Sequence, residues 1–284
     1  MKKFTKACLI LVVVLFLFGI AACAAGAVLG AGFGTVRELW NSGELEYLGW
    51  RISSDGIGWI GEDEEGSWKD AAASKEKFKS AEVHQIQIEL KHGSLELEEG
   101  DVQDEIIVEL EKNDGGFRTE LENGVLTLKD ERKRARRDYQ IRLKIPKGMK
   151  LEKLEIENRA GVVESDGSIL RADSIHLEVD AGELILEDIQ AKEFYLKVGA
   201  GNAEIDDLDA ENTEVSCGVG NIDLQMCGRE ADYNYQIKCG VGSIYVNKDS
   251  YTALGKDQRI DNKASKAVNL DCGVGNITLE TEEN

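Results

Sequence analysis

The most reactive side chains in this sequence belong to six cysteines, three of which recur in one motif. Cys217, Cys239 and Cys272 each precede Gly-Val-Gly, so they occupy the same place in three copies of a repeat. A tetrahedral metal site is disfavoured, because the sequence has no Cys-x-x-Cys pair and no histidine near these cysteines. The pattern predicts a core ladder of packed thiols, with a disulfide between two copies as the alternative. Cys227 lies in a turn and is expected to be the most exposed of these thiols.

The other candidates for catalysis are three histidines and many carboxylates. His84, His92 and His176 lie far apart in the sequence, and none belongs to a metalloprotease, hydrolase or phosphate-binding motif. Acidic pairs are too frequent to indicate acid–base chemistry. The sequence therefore predicts a protein that is not an enzyme and uses no cofactor or metal, and a polysaccharide-cleaving enzyme is the alternative.

Residues 129–138 form a basic segment in an otherwise acidic chain. The segment lies between two predicted strands, so it is expected to be a loop or the tip of a hairpin. Such a loop could contact an anionic wall polymer or lipid headgroups. Alternatively, its charges solvate a turn and prevent edge pairing. The candidate contact residues are Arg132, Lys133, Arg134, Arg136 and Arg137.

The chain has 284 residues, and its 54 acidic and 34 basic side chains give a formal net charge of −20. This balance argues against nucleic acid as a partner, because phosphates require a basic surface. Hydrophobic residues make up 42% of the chain, which is enough to form a core.

The first part of the sequence predicts an anchor. Residues 1–6 are basic, and residues 7–34 are uncharged and longer than the ~20 residues that cross a bilayer. The positive-inside rule keeps residues 1–6 cytoplasmic and places everything after the predicted transmembrane helix outside the cytoplasm. The sequence Ile-Ala-Ala-Cys, which ends at Cys23, resembles a bacterial lipobox, so cleavage and lipidation at Cys23 is the alternative.

Residues 35–80 are predicted to be a junction, and they contain every tryptophan of the chain. Tryptophan favours the membrane–water interface, so the segment could touch headgroups. The alternative is a short hairpin or a cap on the domain that follows. The tryptophans are Trp40, Trp50, Trp59 and Trp68.

Residues 81–284 show period-two alternation that is interrupted by glycine about every 20 residues, which predicts a single-domain, all-β fold, a β-solenoid of stacked coils. Residues 247–265 are an insertion that is expected to bulge from one corner. The alternation places the cysteine ladder, Ala200 and Val219 in the core, and it places an asparagine row outside. The asparagines are Asn202, Asn221 and Asn276.

One stretch before the repeats resembles the putative-adhesin β-strand-repeat family of bacterial envelope proteins, which is largely a domain of unknown function. The matching residues are Ile145, Pro146, Gly148, Leu151, Leu154 and Ile156. The resemblance covers roughly residues 80–284 and brings no catalytic residues with it. Together with the predicted anchor, the solenoid predicts a membrane-anchored, extracytoplasmic binding or scaffold module whose partner is an envelope protein, as an accessory to envelope sensing. A surface adhesin that binds a glycan or another cell is the alternative.

Overall fold

The computed structural model describes residues 44–47, 50–53, 56–59, 72–102, 104–132, 138–165, 167, 169–251 and 257–281. The predicted anchor over residues 7–34 and the candidate lipidation site Cys23 lie outside these ranges. Within the described residues, we find no helix with the length and apolar character that membrane crossing requires. The described strands confirm the all-β class.

The chain divides into two compact units, residues 1–63 and 64–284. The first unit contains an antiparallel sheet of β1 (Glu44–Tyr47), β2 (Trp50–Ser53) and β3 (Gly56–Trp59). Trp50 lies opposite Trp59 in this sheet. Trp50 and Trp59 thus lie on paired strands of a short hairpin, and contact of this segment with headgroups stays a prediction.

The second unit contains the remaining strands. These are β4 (Ala72–Lys79), β5 (Gln85–Leu90), β6 (Gly93–Gly100), β7 (Glu105–Asn113), β8 (Phe117–Glu122), β9 (Val125–Asp130), β10 (Tyr139–Pro146), β11 (Lys150–Ser165), β12 (Leu170–Met226), β13 (Tyr233–Val246), β14 (Asp249–Tyr251), β15 (Gln258–Ile260) and β16 (Lys266–Thr281). Short 3₁₀ turns lie at Ser80–Glu82 and Glu230–Asp232.

The strands are organised as coils, each of which is a strand, a kink and a second strand. β11 forms one coil, which pairs in parallel with the start of β12 on one side and with β5 and β6 on the other. β12 continues through successive coils, in which side chains 19 residues apart bond to each other, as Asn212 does to Glu193. β9 and β10 form the outermost coil next to β5 and β6. Each coil is too thin to bury its own apolar face, so neighbouring coils supply the core.

The order of the last coils differs from their order in the sequence. β16 lies between β12 and β13 and pairs in parallel with both. At this end the coils are therefore not stacked in the order of the sequence. The insertion explains the difference, because residues 247–265 give the chain the length to return and place β16 in the inner position.

Both ends of the stack are covered by antiparallel strands. β8 pairs with β9, β7 pairs with β10, and β4 pairs with β7 at one end. β14 and β15 pair with β13 at the other end. These strands occupy hydrogen-bonding edges that would otherwise be open to other chains.

Candidate binding surface

A row of glycines forms the kinks of the stack. Gly201 has φ of +149°, and a Cβ built on it would overlap the backbone carbonyl of Gly182 in the neighbouring coil. Such a backbone favours glycine, and the absence of a side chain lets adjacent coils approach closely. Equivalent kinks lie at Gly93, Gly161, Gly182, Gly220, Gly275 and Gly242.

The kink also shifts the phase of the alternation, which corrects one prediction. Cys217 and Ile222 point inward, but every residue between them lies at least partly exposed at the corner. Ala200 and Val219 are therefore on the surface and not in the core. Assigning alternate residues to the core fails here, because the glycine at the kink has a backbone conformation that departs from the extended strand.

Three exposed valines form a continuous apolar row at this corner. Val219 pairs with Val274, and Val274 pairs with Val241. Their exposed fractions are 55%, 48% and 57%, values that stand out in a domain whose other large apolar side chains are mostly buried. We call these three residues the valine stripe. Sequence reasoning missed it, although the glycines on both sides of each valine were a signal.

A row of amides runs beside the valine stripe, two residues further along each coil. The Asn221 Nδ2 donates to Asn202 Oδ1 at 3.3 Å, and the Asn276 Nδ2 donates to Asn221 Oδ1 at 3.1 Å. Ser243 occupies the same position in the last coil. We call the three asparagines the amide row, which Ser243 continues with a hydroxyl group. The asparagines face outward as predicted, and each carboxamide retains hydrogen-bonding capacity toward solvent.

Acidic side chains border this corner on the face that follows the amide row. Glu204 and Asp223 are exposed two residues beyond Asn202 and Asn221. The valine stripe and the amide row themselves are uncharged. In the coil of Cys217 the surface thus changes from apolar Val219 to the amide of Asn221 to acidic Asp223.

The predicted cysteine positions lie side by side in the interior. Cys272 pairs with Cys217 on one side and with Cys239 on the other, and all three are buried free thiols. Burial raises the pKa of each thiol, that of Cys272 to about 12. Protonated, buried thiols are poor nucleophiles, so these cysteines act in packing. Cys227 is half-buried.

Arg132, which lies within the basic segment, is held inside the domain by its neighbours. The side chain of Arg132 is only 9% exposed, and its Nε and Nη2 donate to the two carboxylate oxygens of Asp130 at 2.9 and 2.7 Å. The guanidinium lies 3.7 Å from the ring centroid of Tyr139. Arg132 is thus engaged inside the domain and does not contribute to an anion-binding surface. Lys133, Arg134, Arg136 and Arg137 lie outside the described residues, so their proposed contact stays a prediction.

Tyr139 directly follows the basic segment, and its ring packs against Arg132. Its hydroxyl donates to Asp114, and its ring packs edge-on against Phe117 with centroids 5.4 Å apart. Burial and this hydrogen bond raise the pKa of Tyr139. Burial by itself would raise the pKa of Asp114, but the bonds from Tyr139 and the Gly116 N–H outweigh it and lower that pKa. The network fixes both ends of the loop that carries the basic residues.

The histidines are not brought together. His84 is exposed, His92 is half-buried, and the ring of His176 stacks on Tyr195 with centroids 4.3 Å apart. Among the described residues, no three acidic, histidine or cysteine side chains are grouped so that they could hold a metal ion.

Three of the solved structures that match this chain are described here by their similarity to it. A "putative cell adhesion protein" from Clostridium sporogenes is 13% identical, with a TM-score of 0.47, and the match covers 75% of this chain and 100% of that one. A "putative adhesin" from Bacteroides fragilis is 13% identical, with a TM-score of 0.41 and coverage of 74% and 97%. A "putative lipid binding protein" from Parabacteroides distasonis is 12% identical, with a TM-score of 0.29 and coverage of 75% and 98%.

The comparison with curated proteins finds no significant match. The family model described as Toastrack DUF4097, however, matches residues 83–281, which include nearly the whole stack. The resemblance noted around Ile145 and Pro146 points to the same kind of protein. The chain therefore belongs to the Toastrack DUF4097 family.

Proposed function

We propose that this chain is a non-catalytic binding module of the bacterial cell envelope. The observation that carries the proposal is the exposed valine stripe beside the amide row. Contiguous exposed apolar surface on a folded domain is typical of places where another molecule binds. The chemistry of the described residues adds support, since the cysteines are buried thiols and the histidines lie apart.

The module is held at the membrane by residues 7–34 and displays residues 81–284 outside the cytoplasm. The length of the apolar run and the lysines before it support this placement. Lipidation at Cys23 would give the same placement through a different anchor. The basic residues of the loop after Arg132 would then face anionic wall polymer or headgroups.

Membrane-impermeant crosslinking on intact cells, followed by mass spectrometry, tests this proposal. We expect lysines of the stack, such as Lys238, to be labelled and joined to envelope components. A Cys23→Ala variant serves as the control for the anchor, because it removes lipidation and leaves the apolar run intact. Absence of labelling on intact cells, with labelling after lysis, would contradict the outside placement.

A further inference from the structure

We propose that β4 is a releasable edge strand, which separates from β7 while the coils of the stack remain folded. The inference rests on the proposed function, which places an anchor at residues 7–34, before β4 in the chain. Release of β4 lengthens the connection between that anchor and the stack. The stack can then follow a bound envelope component that moves relative to the membrane, without losing its own fold.

The position of β4 in the chain is the first argument. β4 is the first strand of the second unit and precedes every coil. A pull on the stack from residues 7–34 therefore reaches β4 before it reaches any coil. The register between β4 and β7 shifts between Ala72 and Ser74, at the end of β4 where this load arrives. Separation should therefore begin at Ala72 and move toward Lys79.

The apolar attachment of β4 is weak, which is the second argument. Among the described strands β4 pairs with β7 alone, whereas β5 pairs with both β11 and β9. Six of the eight residues of β4 are exposed, and Phe78 is its one large apolar side chain that packs against the core. Glu76 is exposed although the alternation places it on the same side of the strand as Phe78. Segments with few buried contacts open at a lower free energy than the whole domain.

The charged contacts of β4 add little to this attachment. Lys75 Nζ lies 2.6 Å from Glu109 Oε1, and Lys77 Nζ lies 2.6 Å from Glu105 Oε2. Both lysine side chains are more than half exposed. Exposed ion pairs contribute little to stability, and salt screens them. The two pairs therefore favour the correct register of β4 without holding the strand firmly.

The contacts around β4 confine the opening to this strand. After β4 the chain is fixed, because the Ser80 N–H donates to the Asp104 carbonyl at 2.8 Å and Val83 is buried. β7 stays in place when β4 leaves, because it pairs with β10 and buries Ile106 and Val108 in the core. Release therefore frees the eight residues of β4, which span about 28 Å when extended.

Hydrogen exchange of the full-length chain in detergent, followed by mass spectrometry, measures the release. We expect the amides that join β4 to β7 to exchange at least about tenfold faster than those that join β5 to β11, and faster still in high salt. Phe78→Ala should accelerate the exchange of β4 by a further factor of about ten and leave that of β5 unchanged, because it removes the apolar contact. Glu76→Ala is the matched control and should change little, since it removes an exposed side chain from the same strand.

A disulfide that locks β4 in place tests the lengthening of the chain. Lys75 and Glu109 lie directly opposite each other in the register, so a variant with Lys75→Cys and Glu109→Cys can be oxidised across the two strands. With both ends of the full-length chain held in optical tweezers, the reduced variant should extend by up to about 28 Å before the stack unfolds. The oxidised variant should lack this step. Because the two forms differ only at the lock, the comparison separates this step from any extension of the first unit.

Two outcomes would overturn the inference. One is exchange of the β4 amides at the same rate as those of β5, which would mean that β4 opens only with the whole stack. The other is the same extension in the oxidised and the reduced variant. Neither measurement needs the cell envelope. A failed crosslinking experiment would therefore contradict the proposed placement without changing these results, and a failure here would leave the placement standing.

Discussion

The two ends of the stack turn the same corner by different means. In β11, β12, β16 and β13 the chain bends at a glycine, and a neighbouring carbonyl lies where a side chain would be. In the outermost coil β9 and β10 are joined through the basic segment, and the Tyr139 backbone lies against Gly93. There the corner is held by side chains, among them Arg132, Asp130 and Tyr139.

This difference separates two sources of stability. The glycine corner depends on close approach of backbones and tolerates no added atom. The side-chain corner depends on charges that are buried in a low dielectric and must stay paired. An added methyl group should therefore destabilise the glycine corner, whereas removal of one charged partner should destabilise the side-chain corner.

The largest effect is expected from Gly201→Ala. The added Cβ would overlap the Gly182 carbonyl at a backbone with φ of +149°, so the two coils must separate. We expect the free energy of unfolding to fall by about 4 kcal/mol, measured by urea denaturation of the full chain followed by circular dichroism.

Gly148→Ala is the matched control for this prediction. Gly148 has φ of +76°, but a Cβ there would meet nothing within 4 Å. It should lose only about 1 kcal/mol, the cost of the left-handed backbone alone. If the two variants lost a similar free energy of unfolding, contact between coils would not be the reason that Gly201 must be glycine.

The next largest effect is expected at the side-chain corner. Asp130→Ala leaves the buried guanidinium of Arg132 without its carboxylate, and breaking a buried pair costs about 3 kcal/mol. The measurement is again urea denaturation. Lys75→Ala provides the contrast, because the Lys75–Glu109 pair is exposed and should contribute no more than ~1 kcal/mol. If Asp130→Ala lost less free energy of unfolding than Lys75→Ala, other groups would be stabilising the charge of Arg132 in place of Asp130.

These two corners also show how far the sequence could predict the structure. Glycine spacing and alternation identified the coils, because Gly161, Gly182 and Gly201 repeat a constraint that the backbone imposes at every level. The burial of Arg132 could not be predicted, since a charged segment gives no signal that one member is paired inside. The inner position of β16 was equally hidden, because Cys239 and Cys272 stand in nearly identical motifs that fit either slot.

Only one of the two rows of the candidate surface could be predicted from the sequence. The asparagine row follows from its sequence position, but the valine stripe requires knowing that four residues at each kink face outward. Val219 lies between two glycines, and only the observed change of phase separates it from the buried Cys217.

A third effect concerns pH and arises in the glycine-cornered coils that carry the three buried cysteines. The raised pKa of Cys272, about 12 against an ordinary 9.0, means that the folded state holds the proton more tightly than the unfolded state. The stabilisation is complete below pH 9 and is lost as pH rises from 9 toward 12. At pH 10 the loss from this thiol is about 1.5 kcal/mol, and Cys217 and Cys239 add to it in the same direction.

The triple variant Cys217→Val, Cys239→Val and Cys272→Val isolates this contribution. Valine fits because Val179 and Val198 occupy the same inward row in earlier coils. The alkaline fall in the urea midpoint should be shallower in the variant, while the titration of buried tyrosines affects both proteins equally. An unchanged pH profile would assign the fall to other groups.

The smallest expected effect tests whether polar side chains stabilise the glycine-cornered coils. Asn158 is buried in the row that continues to Val179, its Nδ2 makes a long bond of 3.4 Å to the Gly93 carbonyl, and its Oδ1 has no partner among the described residues. Replacing a poorly paired buried amide with an apolar group of similar width removes a desolvation penalty. Asn158→Val should therefore raise the free energy of unfolding by about 1 kcal/mol. Stabilisation would show that this corner needs only the backbone. A loss of stability would mean that the bond to Gly93 joins β6 to β11, and that even the glycine-cornered coils rely on a side chain where they meet the other end of the stack.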